Sequence, residues 1–136
     1  MPLLVPNSAE AHSLEIFLGK RASGNLTIDL YTNSWAPLDA DGLAQYTKMG
    51  AVGGYAAINM TASSWSVVGG APTVATFPEQ SWTFTASAGP VWGYIVTDTT
   101  SLGLRWAEQF PAAVTITSSG DTIRVTPKFT FAKSGE

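Results

Sequence analysis

Hydrophobic positions recur at two different periods along the chain, and the change from one to the other divides it. Between Asn7 and Gly19, the residues Ala11, Leu14, Phe17 and Leu18 recur at spacings of three and four. That is the signature of one apolar helix face. Asn7 stands where an N-cap belongs, Glu10 follows three residues on as its reciprocal partner, and Gly19 marks the end. The spacing therefore predicts a helix within residues 7–19. Ahead of it, Met1-Pro2-Leu3-Leu4-Val5-Pro6 reads as an extended apolar arm, because proline favours extended backbone in the residue before it.

From Asn25 the period becomes two. Leu26, Ile28 and Leu30 fall on one side of a strand, with Thr27, Asp29 and Tyr31 on the other. Further short strands follow between turn residues. They are a short one including Gln45–Thr47, then 53–60 opened by glycines, 64–68, 73–77 and 81–85. A hairpin is predicted from Val91–Thr97 and Leu104–Phe110, then a strand at Val114–Thr117, and a last one from Thr122 to Phe131. Pro127 places that last strand at a sheet edge or at a bulge. One helix followed by eight or nine short strands predicts a single mostly β domain over 1–136. It is an antiparallel β-sandwich or barrel, jelly-roll-like in broad class, occupying 25–131.

Composition narrows the function. Hydrophobic residues make up 45% of the chain and charged residues only 12%, against about 25% charged in an ordinary soluble domain. A surface so poor in charge suits a subunit packed densely among others, and a secreted β protein would look similar. The net charge is −3, and the seven basic residues are scattered. Nucleic acid as the main partner is unexpected, since counterion release needs clustered Lys and Arg. The chain has no cysteine, so disulfides and thiolate chemistry are excluded. No apolar run approaches the ~18 residues of a membrane span. The N-terminus lacks the basic and apolar regions of a secretory signal.

Candidate chemistry is sparse. The single histidine, His12, lies off the apolar helix face, where a solvated imidazole is expected. Asp98 and Glu108 sit on the two arms of the predicted hairpin, and a carboxylate pair serves glycosidases. Glu108 shares side-chain parity with Trp106 and Phe110. A carboxylate on an aromatic face needs a partner, so a structural ion pair with Arg105, or with Arg124, is expected instead. Asp39-Ala40-Asp41-Gly42 lacks the remaining ligands of a calcium loop and reads as a turn. No catalytic residue, metal site or cofactor is expected. The five tryptophans are expected mainly in the core, with Trp35, in a polar loop, the best candidate for an exposed contact; the arm is expected either to pack on its own domain or to reach a neighbouring subunit, and Leu3, Leu4, Val5 and Trp35 are the candidate partner contacts.

Several strings are more specific than the fold class. They are Asn25–Asn33 (NLTIDLYTN), Gly54-Tyr55-Ala56, Trp65, Phe77–Phe84 (FPEQSWTF), Val91–Asp98 (VWGYIVTD), Leu104–Phe110 (LRWAEQF) and Gly120–Pro127 (GDTIRVTP). Over nearly its whole length the chain resembles a family of small virion structural proteins of tailed bacteriophages. The resemblance implies a capsid cement (decoration) protein first, and a small tail or fibre protein second. It implies binding to the major capsid protein, assembly as a homotrimer, and a place on the capsid surface after synthesis in the host cytoplasm. It offers no active site to carry over. A carbohydrate-binding module, stacking sugars on exposed tryptophan, is the reading from a different class.

Overall fold

The computed structural model describes residues 5–20, 24–70, 72–99 and 103–131. Its architecture is mostly antiparallel β with one short N-terminal helix, arranged as a sandwich. The helix α1 spans Asn7–Phe17, followed by β1 (Leu26–Tyr31), β2 (Ile58–Met60), β3 (Ser66–Val68), β4 (Thr73–Thr76) and β5 (Gln80–Thr83). The remaining strands are β6 (Ala88–Asp98), β7 (Leu104–Ile116), β8 (Thr122–Val125) and β9 (Lys128–Phe131).

One layer is a four-stranded sheet in the order β2-β1-β6-β7. Its inner face carries Ile28 and Leu30 of β1, Tyr94 and Val96 of β6, and Trp106 of β7, all buried. These meet Phe77, Trp82, Phe84, Ile123 and Val125 from the opposite layer in one core. Fully burying such side chains contributes about 1.5–3 kcal/mol each, so this core is the main source of stability.

The opposite layer is a kinked ribbon. β4 pairs with β9 and β5 with β8, in two small sheets that the chain joins directly. Thr76 faces Lys128 before the kink and Gln80 faces Val125 after it. Pro78 and Pro127 stand in the gap, each without an N–H for a ladder. A single bond from Phe77 N–H to the Pro127 carbonyl, 2.9 Å, bridges it. The strand expected from Thr122 to Phe131 is therefore two strands, because Pro127 interrupts the ladder and the chain changes sheets there.

The outer face of the four-stranded sheet is also covered. Residues 32–49, expected as an ordinary loop with a short strand, fold across it and bring Trp35, Leu43 and Tyr46 onto Tyr31, Ile95, Leu104 and Ala107. The return limb is fastened to β1 by Thr32 N–H to the Thr47 carbonyl and by Met49 N–H to the Leu30 carbonyl. The expected strand at 45–47 reduces to one bridge between Tyr31 and Lys48. Gly93 makes the close packing possible: a Cβ there would collide with the Glu108 carbonyl and stand 2.7 Å from the Tyr31 ring.

The helix differs from expectation in its cap and its face. Pro6 is the N-cap and no side chain caps the first turn. Pro6 is itself buried, and its carbonyl accepts from the N–H groups of Ala9 and Glu10. Asn7 is the first helical residue and is exposed. Gly19, at φ 71°, ends the helix as expected. Ala9 is buried and Ile16 is half-buried, whereas Leu14, Phe17 and Leu18 are exposed, Phe17 to 85%. The apolar stripe legible in the sequence thus faces outward.

Candidate functional site: the groove beneath the helix

A bulge builds the floor of this site. Val96 pairs with Trp106, yet Thr97 pairs with Leu104, so Arg105 is an extra residue on β7. A bulge re-aims the inserted side chain. Here it brings the Arg105 guanidinium to the Asp98 carboxylate at 2.6 Å, and both residues are buried. Trp106 lies beside them, its indole N–H buried without a hydrogen-bond partner among the described residues.

Above this floor, α1 and β9 form the walls of a groove of about 910 Å³. Val5, Leu14, Ile16 and Phe17 line one side, Phe129 and Thr130 the other, and Leu26 with Trp106 the base. Most of the lining is apolar, and Asp98, Arg105, Glu10, Ser13 and Thr130 are its polar side chains. Such a groove accepts apolar side chains and offers a charged pair for orientation.

The second carboxylate of interest is elsewhere. Glu108 faces Tyr94 across the β6–β7 ladder and accepts its hydroxyl hydrogen at 2.6 Å. Asp98 is four residues along β6 from Tyr94, roughly 13 Å at the strand rise. The two acids are therefore not opposed across the hairpin. The ion pair expected between Glu108 and Arg105 is replaced by Arg105 with Asp98, because the bulge takes Arg105 out of the alternation that a regular strand implies. Arg124 instead approaches Glu79, an exposed contact at 3.6 Å, of a kind worth little.

Glu108 belongs to a wider pattern. All four tyrosines of the chain give their hydroxyl hydrogen to an internal acceptor: Tyr31 to the Trp35 carbonyl, Tyr46 to Asp41, Tyr55 to Asp29 and Tyr94 to Glu108. Burial pushes the Tyr31 phenol up to about 12, with the Asp41 charge adding to it. Burial, then the bonded carboxylate, raises Tyr46, Tyr55 and Tyr94 as well. Asp41, predicted to sit in a turn, is a buried hub that takes Trp35 Nε1, Leu38 N–H and Tyr46 OH on one oxygen. Among the described residues no group of three acidic or histidine side chains is placed to hold a metal ion.

The expected contact residues fare unevenly. Leu3 and Leu4 lie outside the described residues, as does the side chain of His12. Val5 is half-buried against this domain's own core, so the described end of the arm docks at home. Trp35 is half-buried and bonded to Asp41, because the loop that looked polar packs on the sheet's outer face. Neither the bulge nor the outward turn of the helix stripe leaves a mark in residue periodicity. The buried Asp98–Arg105 pair and the groove it floors were therefore missed. Comparison of this chain with family models, curated proteins and solved structures finds no match.

Proposed function

We propose that this protein is a structural component of a tailed-phage virion, a cement protein that binds major capsid subunits at the outer surface of the head. The observation that carries the reading is the outward apolar ridge of α1, Leu14, Phe17 and Leu18, standing over an apolar groove on a chain with 12% charged residues. Monomeric proteins rarely expose contiguous apolar surface unless something covers it. Apolar side chains of a capsid subunit are the occupant this ridge and groove suit. The buried carboxylates support a binding role, since Asp29, Asp41 and Asp98 are each engaged by a hydroxyl, an indole or a guanidinium. The resemblance to the phage family supplies the identity of the partner and the trimeric arrangement.

The test is co-sedimentation with expanded, undecorated capsids. Saturable binding, weakened at least tenfold by Leu14→Ser or Phe17→Ser, is the expected result. Protein that stays in the supernatant, or that labels the tail of intact particles and not the head, rejects the reading.

A further inference from the structure

We infer that the occupant of the groove beneath the helix is an extended segment of a partner chain, added as a strand along the outer edge of β9, an inference that rests on that groove being the binding site. β9 ends the sheet β3-β4-β9, and among the described residues no strand pairs with its outer side. Phe129 and Thr130 point to opposite faces of the strand, yet both line the groove. The groove therefore runs along the edge of β9, not over one of its faces. Hydrogen-bonded and non-hydrogen-bonded pairs alternate along an antiparallel ladder. The bond from Phe77 N–H to the Pro127 carbonyl puts that pair in the first set, so the pair Val74–Thr130, an odd number of steps along, falls in the second. Thr130 thus turns its N–H and its carbonyl away from β4, toward the groove, and neither has a partner among the described residues.

Arg105 is the second observation. Its side chain is 8% exposed and lines the same groove. A guanidinium carries several N–H donors, and among the described residues a single bond, from Nη2 to Asp98, engages them. The enclosed nitrogen left without a partner is that of Trp106, so the spare donors of Arg105 are not sealed in protein and border the groove. A carboxylate is a poor acceptor for them, because Asp98 already neutralises Arg105 and Glu10 adds negative charge to the lining. An uncharged carbonyl suits them. A peptide backbone offers such carbonyls together with partners for the N–H and carbonyl of Thr130, and its apolar side chains can cover Leu14, Phe17 and Phe129. A lipid chain would desolvate the Thr130 groups without pairing them, which is costly, and a helix has already satisfied its own backbone. β9 is short, so burial in the groove supplies most of the affinity and the ladder fixes direction and register.

A display library of random linear peptides, panned against the full chain, tests this without any capsid. Enriched peptides should place apolar residues at a period of two, and on binding should slow hydrogen exchange of the Thr130 amide at least tenfold. Thr130→Pro removes that outward N–H and leaves the bonds to β4 in place. It should keep the wild-type urea midpoint and weaken peptide binding at least tenfold, whereas Thr130→Val, which keeps the N–H, should bind as wild type. The exchange measurement uses the wild type and decides the matter even where the proline variant unfolds. A library that enriches nothing, peptides bound as helices, a Thr130 amide left unprotected, or a folded Thr130→Pro that binds as wild type overturns the proposal. Failure of capsid co-sedimentation alone rejects the virion reading and leaves this one standing.

Discussion

Asp98 and Arg105 show how one inserted residue governs its neighbourhood. Removing the carboxylate leaves a buried guanidinium without its counter-charge, the costly way to break a buried pair. Asp98→Ala should therefore destabilise the protein by about 3–5 kcal/mol, read as a fall in the urea midpoint. The double variant Asp98→Leu with Arg105→Met should recover most of that loss, because no charge is then stranded. Gly93 makes a second claim at this scale. Its missing side chain admits the Tyr31 ring and the Glu108 carbonyl, so Gly93→Ala should cost about 1–3 kcal/mol through overpacking, measured by the same titration. Residue types announced some of this. A carboxylate between aromatics on a strand needed a partner, and Glu108 has one in Tyr94. Which partner was hidden, because pairing across a ladder depends on register, and register depends on bulges that alternation does not encode.

At the scale of elements, strands were legible wherever side chains alternate between a buried and a wet face. β1, β3, β4 and β5 fall within about two residues of their expected places. β6 and β7 run longer than the apolar alternation, because Val91 pairs with Val114 and Gly93 with Gln109, which loops three extra β7 residues out around Pro111. The helix was legible as an element but not in its orientation. Periodicity identifies a stripe and is silent on whether core or partner covers it. That stripe gives a prediction separating folding from binding. Phe17 is 85% exposed, so Phe17→Ser should change unfolding free energy by no more than about 0.5 kcal/mol. The same substitution should weaken capsid co-sedimentation, so an equal loss of stability would assign Phe17 to the fold.

Across the whole molecule, the four tyrosine hydroxyls fasten the loop over the outer face, the β2 side and the inner core to their surroundings. Their raised phenols tie folding to alkaline pH. A group whose folded pKa lies above its unfolded value of about 10 contributes stability that is complete below that value. The contribution is lost as pH rises through the folded value, about 12 for Tyr31. Phenolate absorbance should therefore stay low near pH 10 and rise together with loss of near-ultraviolet circular dichroism toward pH 12. Phenolate appearing near pH 10 with the tertiary signal intact would show the hydroxyls to be free. The antiparallel sandwich itself was foreseeable from strand number and spacing. Its second layer as a ribbon folded at Pro78 and Pro127 was not, since a proline in a strand signals an interruption without saying where the chain goes next.

Mild acid acts on proteins through groups that titrate near or below neutrality. The span from Met49 to Pro78 has no such group; its one ionisable side chain is the buried phenol of Tyr55, raised above its ordinary value. Acid can therefore alter β2, β3 and β4 only indirectly, through the charged remainder of the molecule. These strands should hold their packing as the surroundings turn sour, after contacts elsewhere have begun to loosen.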